Sequence, residues 1–460
     1  MQNLVQQAQT LYFEANRLLE VRDLQGAQQR YRAALALDPQ LAEAEANLAY
    51  VEEQLGHSQQ AEIHYLRALQ LQPENLQINL NLGAMYLQRR QLIEAEHILR
   101  HALALAPDTA AAWVNWGALQ ACLQNDDEAE RSYRTALKLA PENAKAQFNL
   151  SYILLRQGRM AEAWPYYEAR EQIQHLQRFF TCARWYGETL QGKSIIVGFE
   201  AGHGDMMQFC RYVPLLKQRG ARHVALVCHP GLTRLFESLA GVDELFSMHD
   251  PVSKSDWDYW VPMMSLPGHF QTNLENIPNK IPYLAADPAL IQHWQTTIAG
   301  VGEGVRIGLV WQGNRKFESD NERSLTSLAT FTPLASVPGI RWISLQKGPA
   351  EAEADHPPQG MPVLATHHFI QDFADTAAVL AHLDLVISVD TAVAHLAGSM
   401  GKPCWLLLRH YRADWRWLTV RNDTPWYPGM RLFRQSASEN WDEVIAQVRA
   451  ALLKQFSNFQ

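Results

Sequence analysis

The chain has 460 residues, of which 47% are hydrophobic, and its formal net charge is −8. This size and composition suit two or three globular domains, while the negative charge without a Lys/Arg block argues against nucleic acid as the main partner. No apolar run reaches membrane-spanning length, and the N-terminal residues lack the pattern of a signal peptide. The five cysteines show no close pair and no Cys/His ligand spacing. We therefore expect a cytoplasmic protein with reduced thiols and no metal site.

The first third of the chain repeats itself every 34 residues. Prolines recur at Pro39, Pro73, Pro107 and Pro141, and asparagines at Asn47, Asn81, Asn115 and Asn149. Small residues keep the same step at Ala27, Ala61, Ala95, Ala129 and Ala163, and large ones at Tyr31, Tyr65, Leu99, Tyr133 and Tyr167. Small residues let helices approach closely, and large ones fill the space beside them. The pattern resembles the tetratricopeptide repeat family, so we expect an α-solenoid over residues 1–172.

The recurring asparagines suggest what this solenoid holds. One asparagine per repeat would form a ladder along the concave groove, as Asn47, Asn81, Asn115 and Asn149. A side-chain amide both donates and accepts hydrogen bonds, so the ladder suits the backbone of an extended polypeptide. The alternative is that asparagine stands at this repeat position for structural reasons, and the sequence leaves both open.

Beyond the repeats, strand-like and helical segments alternate. Residues 173–192 are rich in aromatic side chains and predict a packed junction. Strands are predicted at 194–199, 224–228, 259–263, 306–311, 341–345, 385–389 and 404–408. Helices are predicted at 206–216, from 232, and at 328–336, 375–382, 391–400 and 442–454.

Alternation of this kind is typical of parallel sheets with crossover helices. We expect a two-lobed α/β molecule with an N-terminal lobe over 193–300, a C-terminal lobe over 301–440 and a helix within 441–460. Ligands of such sheets bind beyond the carboxyl ends of the strands, so the strand-to-helix loops are the candidate sites.

The loop from Glu200 to Asp205 follows the first predicted strand of the first lobe. Its two glycines allow close backbone approach to a ligand. Asp205, at the start of a helix, is placed to take a proton from a hydroxyl as a general base. The alternative is that Asp205 only caps the helix.

The segment from Ile387 to Gly398 joins a buried strand directly to a helix of small residues. The free N–H groups at such a helix start suit a diphosphate, and Thr391 adds a hydroxyl. His395 lies one turn further, on the same helix face. The alternatives are capping by Asp390 and Thr391, and a hydrogen-bonded core histidine at 395.

A long polar loop runs from Trp311 to Ser324 after another strand. Its cations Arg315, Lys316 and Arg323 are able to neutralise phosphate charge. A solvated surface loop is the alternative, especially for Lys316. Gln346 and Lys347 end the next strand and are predicted to reach the same ligand.

Taken together, residues from about 185 to 441 resemble bacterial glycosyltransferases of the two-lobed GT-B type, close to the heptosyltransferase-like group. The segments that carry the resemblance are Gly202-His-Gly-Asp205 with Gln208, Gly308-Leu-Val-Trp-Gln-Gly-Asn314, Arg323-Ser324, Ser344-Leu-Gln-Lys-Gly348, Asp390-Thr-Ala-Val-Ala-His-Leu-Ala397 and Asp414-Trp-Arg-Trp417. Repeats fused to such a domain resemble bacterial protein glycosyltransferases, and the layout is similar to that of the eukaryotic O-linked N-acetylglucosamine transferase.

The resemblance implies roles for particular residues. Asp205 would be the catalytic base, with His203 as second choice, and Gly202, Gly204 and Gln208 would face the acceptor. The nucleotide sugar would be held by Asn314, Arg315, Lys316, Arg323, Ser324, Gln346, Lys347, Asp390, Thr391, Ala392 and His395. This chain carries Ala201 where relatives often have glutamine, so one loop contact differs.

The sequence therefore predicts a metal-independent, cofactor-free glycosyltransferase that moves a sugar from a nucleotide-sugar donor to a polypeptide held by the repeats. Helix N-termini and cationic side chains would stabilise the departing diphosphate. Transfer to a glycan or lipid-linked acceptor is one alternative, and a non-catalytic scaffold that only binds a nucleotide is another. Self-association into a homo-oligomer also stays open.

Overall fold

The computed structural model describes residues 2–315 and 320–456. The chain divides into two compact units, Met1–Ile153 and Leu154–Gln460. The first is entirely helical in its described part, and the second contains every described strand.

The first unit is built from consecutive helices that pack as neighbouring pairs. They are α1 (Gln2–Glu20), α2 (Leu24–Leu37), α3 (Ala42–Gln54), α4 (Ser58–Leu71), α5 (Leu76–Gln88), α6 (Leu92–Leu105), α7 (Ala110–Cys122), α8 (Asp126–Leu139) and α9 (Ala144–Arg156), the last of which crosses the boundary between the units. The residue that turns the chain within each pair has a φ between 55° and 81° and recurs with the same period, at Arg22, Gly56, Arg90, Gln124 and Gly158. The repeat thus includes a left-handed turn that the residue types, three of them not glycine, did not reveal.

The periodic small and large residues form the core of this solenoid. The alanines Ala27, Ala61, Ala95 and Ala129 are 0% exposed, and Tyr31, Tyr65, Leu99 and Tyr133 are at most 2% exposed. Close approach is extreme at Gly83, where an added Cβ would lie 2.3 Å from Leu99 Cδ2. At Gly117, one repeat later, it would lie 2.7 Å from Tyr133 Cε1. The predicted packing of small against large residues is confirmed.

The second unit begins with α10 (Met160–Tyr167) and α11 (Glu171–Phe179). Ala163 and Tyr167 continue the repeat positions, yet α10 packs against the α/β part of the molecule. Trp164 Nε1 donates to the carbonyl oxygen of Thr272 at 2.7 Å, and its ring lies 5.9 Å from that of Trp415. The boundary between the compact units falls after residue 153, inside α9, and the repeat positions continue beyond it to Tyr167.

The N-terminal sheet of the second unit has five parallel strands in the order β1-β5-β2-β3-β4. They are β1 (Ala183–Arg184), β2 (Ser194–Gly198), β3 (His223–Cys228), β4 (Glu244–Ser247) and β5 (Tyr259–Pro262). Helices in this part are α12 (His203–Phe209), α13 (Val213–Gln218), α14 (Thr233–Phe236), α15 (Leu266–His269) and α16 (Pro288–Ala299). The central strand β2 is buried along its whole length, because strands lie on both sides of it and α11 packs on one of its faces.

The C-terminal sheet has six parallel strands in the order β11-β10-β9-β6-β7-β8. They are β6 (Val305–Val310), β7 (Ile340–Ser344), β8 (Val363–Ala365), β9 (Leu385–Val389), β10 (Cys404–Leu408) and β11 (Met430–Arg434). The helices are α17 (Asp320–Arg323), α18 (Phe373–Ala381), α19 (Ala392–Ser399) and α20 (Trp441–Gln455). One face of α20 joins the core of this sheet through Val444, Val448 and Leu452.

All seven predicted strands are present within a residue of their expected bounds. The segment Leu328–Ser336, predicted as an α-helix, is a 3-10 helix with Pro333 inside it. Proline lacks the N–H that a continuous α-helical ladder needs. The strands not predicted, β1, β4, β8 and β11, are short or lie at sheet edges.

Candidate functional site

The start of α12, after β2, lies directly against the start of α19, after β9. An added Cβ on Gly204 would come within 2.7 Å of His395 Cδ2 and 3.3 Å of Ala392 Cα. Both helices follow strands at the carboxyl edges of their sheets, which is where ligands of parallel sheets bind. The two strand-to-helix segments that the sequence singled out are therefore brought together, and Gly204 is what allows it.

Asp205 is held by hydrogen bonds at both carboxylate oxygens. Oδ2 accepts from the backbone N–H of Gly202 at 2.9 Å, which is a capping contact, and Oδ1 accepts from Arg416 Nη2. The capping interaction proposed as an alternative is thus present. It leaves the general-base role of Asp205 as a prediction, since a carboxylate oxygen has more than one lone pair to offer.

Arg416 links the two sheets at this point. Its guanidinium donates through Nη1 to both oxygens of Asp414, at 3.0 and 3.1 Å, and through Nε to Gln208 Oε1. The Arg416 side chain is only 5% exposed. Gln208, expected to face an acceptor, is fully buried and supports the arginine instead. Sequence reasoning singled out the segment Asp414–Trp417 but predicted no role for Arg416.

Asp390 lies near Arg416 and Arg323, directly after the end of β9. Trp417 Nε1 donates to its Oδ2 at 2.9 Å. Burial, together with the negative charge of Asp414, raises the pKa of Asp390 to about 6, although Trp417, Arg323 and Arg416 oppose that rise. The carboxyl group therefore titrates close to neutral pH, a property often found in functional sites.

Thr391 and His395 differ in how they are placed. Thr391 Oγ1 lies 3.0 Å from Ser388 Oγ, at the first position before α19. His395 is buried, with Nδ1 2.9 Å from the hydroxyl of Tyr427 and its ring stacked on Trp417. Burial holds the pKa of His395 well below its usual range, so the imidazole is neutral. His395 is therefore a hydrogen-bonded core histidine, as the alternative interpretation proposed. Among the residues of this helix predicted to contact the donor, Thr391 and Ala392 are more exposed than His395.

His203 lies among rings contributed by both lobes. Its imidazole is 4.5 Å from that of His229 and 5.2 Å from the ring of Phe373, between ring centres. Burial, and then the neighbouring His229, lower the pKa of His203 to about 4. His229 Nε2 contacts the carbonyl oxygen of Ala201 at 2.8 Å, and Ala201 has a φ of 56°. Ala201, where similar sequences often have glutamine, thus adopts a left-handed backbone conformation, and its carbonyl oxygen contacts His229.

Glu200, the first residue of the loop, has a structural position. Its side chain pairs with Arg170, Nε to Oε1 at 3.0 Å and Nη2 to Oε2 at 3.1 Å, and it accepts from the backbone N–H of Met264 at 2.9 Å. Both members of the pair are at most 2% exposed. This buried pair fixes the start of the loop and fastens α11 to the sheet.

The third loop is organised by Gln346. Its Oε1 accepts from the N–H groups of Trp311 and Gln312, at 3.1 and 3.0 Å, and its Nε2 donates to the carbonyl oxygens of Gln312 and Lys347. Since Gln346 is 1% exposed, it joins the ends of β6 and β7 and offers a ligand little surface.

Other predicted donor contacts in this loop are closer to its surface. Ser324 Oγ accepts from Gly313 N–H at 2.9 Å, and Arg323 Nε donates to Asp320 Oδ1 at 3.0 Å. Arg315 is exposed and donates to Gln312, while Asn314 is exposed beside it. Lys316 lies outside the described residues.

The asparagine ladder is only partly available to a ligand. Asn47 donates to Asn16 Oδ1 at 3.0 Å, and Asn115 donates to the carbonyl oxygen of Leu80 at 3.2 Å, so both tie neighbouring repeats together. Asn81 accepts from Gln77 Nε2 at 2.7 Å, within its own helix. All four asparagines, including Asn149, are partly exposed.

A buried arginine, Arg211, was also missed as a link between the lobes. Its guanidinium donates to the carbonyl oxygen of Trp426 at 2.9 Å and to the hydroxyl of Tyr283 at 2.8 Å. It lies over the rings of Tyr283 and Tyr427, 4.7 and 4.8 Å from their centres. The Arg-Tyr pair at 211–212 was visible in the sequence, but its partners are far away along the chain.

Comparison with known proteins identifies the repeats. Residues 12–76 and 123–174 match the tetratricopeptide repeat family. The protein FlbA of Caulobacter vibrioides is 28% identical over 334 residues, which are 66% of this chain and 54% of FlbA. The chain thus spans about half the length of that curated relative.

Solved structures similar to part of the chain include MamA from Desulfovibrio magneticus, with 19% identity, a TM-score of 0.33 and coverage of 37% of this chain and 97% of MamA. Pseudomonas aeruginosa PilF shows 21% identity and a TM-score of 0.34, covering 37% and 78% of the two chains. TTC0263, a TPR protein of Thermus thermophilus, shows 26% identity and a TM-score of 0.33, covering 36% and 92%.

None of the described helices combines the length and apolar character needed to cross a lipid bilayer. The sequence match, the 34-residue burial pattern and the sheet topology agree on the architecture. The chain is a tetratricopeptide-repeat solenoid followed by an α/β unit with two parallel sheets.

Proposed function

We propose that the protein is a glycosyltransferase of the GT-B type that transfers a sugar from a nucleotide-sugar donor to a polypeptide acceptor. The observation that carries the proposal is the meeting of two strand-to-helix turns, one from each parallel sheet, at Gly204 and Ala392. A transferase needs an acceptor group and a donor group side by side. One turn brings a carboxylate, Asp205, and the other a free helix start behind Asp390.

The donor side has the charges that a nucleoside diphosphate requires. Arg323 and Arg416 act electrostatically on Asp390, and Asp390 in turn acts on Arg409. Guanidinium groups bind phosphate oxygens through paired N–H donors, and the N–H groups at the start of α19 add to them. Such groups stabilise the negative charge that develops on a departing diphosphate.

On the acceptor side, Asp205 is the proposed general base and His203 the second candidate. Asp205 is fixed in position by Gly202 and Arg416, which favours a defined geometry for proton transfer. His203, with its pKa lowered to about 4, is neutral at pH 7 and therefore able to accept a proton, although as a weak base.

The repeats are proposed to bind the acceptor polypeptide. Tetratricopeptide arrays present a concave surface, and Asn81 and Asn149 are partly exposed. An extended peptide backbone is the partner that such amides suit.

The test is binding of a panel of nucleoside diphosphates and their sugars, measured by calorimetry on the full chain. We expect one nucleotide to bind, and T391V to weaken that binding while leaving the melting temperature nearly unchanged. T181V is the matched control for the threonine, because Thr181 is exposed and bonds only to the loop carbonyl of Lys254. Failure of every nucleotide to bind would contradict the proposal.

A non-catalytic nucleotide-binding scaffold is the second candidate. It is favoured by the fact that both oxygens of Asp205 already accept hydrogen bonds, from Gly202 and Arg416. Turnover of the nucleotide sugar distinguishes a scaffold from an enzyme, because a scaffold binds the nucleotide sugar without hydrolysing or transferring it. A transferase whose acceptor is a glycan or a lipid-linked molecule is a third case, and it would show turnover without any peptide.

A further inference from the structure

Two histidines and an aspartate meet beside the C-terminal sheet, in the segments that follow β7 and β8. His367 and His368 follow β8, and Asp355 ends a 3-10 helix (Glu351–Asp355) between β7 and β8. Their potential ligand atoms all lie within 4.8 Å of one another, and they form the one such group among the residues that the structure describes. Because they come from two separate loops, their meeting is a property of the fold and not of sequence spacing.

The distances are those of ligands around a small ion. His368 Nε2 lies 2.8 Å from Asp355 Oδ1, and His367 Nε2 lies 3.4 Å from Asp355 Oδ2. Around a tetrahedral metal with bonds of about 2.0–2.1 Å, neighbouring ligand atoms are separated by about 3.3 Å. The two histidines thus approach different oxygens of the same carboxylate, His368 at hydrogen-bonding distance and His367 near the separation that a shared ion would impose.

Hydrogen bonding alone does not account for His367. Its ring is 6% exposed, and its Nδ1 has no hydrogen-bond partner among the described residues. The contact of its Nε2 with Asp355 is long for a hydrogen bond. A buried imidazole held this weakly is unusual, because buried polar atoms are almost always satisfied. Coordination of Nε2 to an ion would replace this long contact with a metal bond.

The backbone around this group is well fixed. Lys347 Nζ donates to the carbonyl oxygen of His367 at 2.9 Å and pairs with Glu351 at 3.2 Å. The adjacent rings of His367 and His368 lie 3.9 Å apart between centres.

We propose that Asp355, His367 and His368 form a binding site for a divalent transition metal of the zinc class, with water in the remaining position. Imidazole suits Zn²⁺, Co²⁺ and Ni²⁺, whereas Mg²⁺ and Ca²⁺ prefer sites made of oxygen. The site is next to Lys347, one of the predicted donor contacts, but none of its three ligands is among the residues proposed to transfer the sugar. Its expected role is to join the two loops after β7 and β8.

The test is titration of the metal-free full chain with Zn²⁺ by calorimetry and with Co²⁺ by visible absorption. We expect one equivalent to bind, with the intense d–d bands of four-coordinate Co²⁺. H368A and D355N change exposed or half-exposed residues, so both are expected to fold. Each should weaken Zn²⁺ binding about 100-fold, comparable to the larger effects of losing a group that supports a ligand.

H249A is the matched control, since His249 is an exposed histidine in the other lobe. It should bind Zn²⁺ and Co²⁺ like the unmodified protein. Absence of saturable binding to the unmodified chain, or equal binding by H368A, D355N and the control, would overturn the proposed site. Nucleotide binding is measured on the same samples, so that failure of the metal site is distinguished from failure of the proposed function.

Discussion

The guanidinium of Arg416 donates to the carboxylate of Asp205, although the two residues are 211 positions apart. Asp205 belongs to the helix after β2 in the N-terminal sheet, and Arg416 to the loop after β10 in the C-terminal sheet. The same guanidinium holds Asp414 and Gln208. One side chain therefore sets the position of the proposed base relative to the proposed donor site.

Replacing this arginine should affect both stability and chemistry. In R416Q, the carboxylates of Asp205 and Asp414 lose their shared cation in a partly buried site. Breaking a buried ion pair by removing one partner costs about 3 kcal/mol or more, which chemical denaturation should detect. R421Q is the control, because Arg421 pairs with the exposed Asp423. A loss in R416Q no larger than in R421Q would show that the cluster contributes little to stability.

Asp205→Asn should abolish sugar transfer while leaving nucleotide binding nearly intact. Asparagine keeps an oxygen to accept from Gly202 N–H, so the helix start is retained. Loss of a general base typically lowers the rate ~10²–10⁴-fold. The measurement is turnover at saturating donor, with nucleotide affinity determined in parallel. Turnover within a few-fold of the unmodified enzyme would remove Asp205 from the mechanism and direct attention to His203.

Asp390 should make the unfolding free energy depend on pH. Its pKa rises from 3.8 to about 6 on folding, so the folded state binds the proton more tightly. The stability that this proton provides is fully present below about pH 4 and is lost as the pH rises through 6, by roughly 1–3 kcal/mol. D390N keeps an acceptor for Trp417 but does not titrate.

The quantity to measure is the difference in unfolding free energy between D390N and the unmodified protein, from pH 4 to pH 7. His203 and His395 have lowered pKa values and contribute a slope of the opposite sign in this range, but both proteins share that contribution. The difference should increase with pH in favour of D390N. A difference independent of pH would mean that Asp390 ionises normally in the folded protein.

The repeats should govern acceptor choice and not chemistry. N81A/N149A changes two partly exposed asparagines of the ladder, and should weaken binding of a peptide acceptor by roughly fivefold per lost backbone contact, at about 1 kcal/mol each. Slow hydrolysis of the donor should be unchanged, since it uses only the α/β unit. N47A/N115A is the comparison, because these amides bond to Asn16 and Leu80 and their loss should lower the melting temperature.

An unchanged peptide affinity in well-folded N81A/N149A would show that the ladder does not hold the acceptor. The repeats would then serve assembly or another partner, and acceptors that are glycans or lipid-linked would be favoured.

Periodicity made the architecture predictable. Small and large residues at 34-residue intervals determine which side chains are buried, and Tyr65 and Ala61 are fully buried as expected. The apolar runs at β9 and β10 gave their strand bounds directly, because strands covered on both faces contain few polar residues. The short edge strands β4 and β8 offered no comparable run.

The site was less predictable because its contacts join distant segments. Sequence reasoning singled out the turns at Asp205 and Asp390, since each follows a buried strand. It could not show that Arg416 connects them, because Asp205, the partner of Arg416, is 211 positions away along the chain and no local pattern links the two. Gln208 and Gln346 are buried supports, a distinction that depends on neighbours contributed by other elements.

The missing side chain of Gly204 has a consequence for the distance between the two sheets. A methyl group there would press on His395 and on the backbone of Ala392, and backbone cannot move aside as a flexible side chain does. The added methyl group would push the start of α12 away from the start of α19, and the distance from Arg416 to Asp205 would increase. The spacing of the proposed reacting groups thus depends on the lack of a side chain at Gly204, the residue directly before the proposed base Asp205.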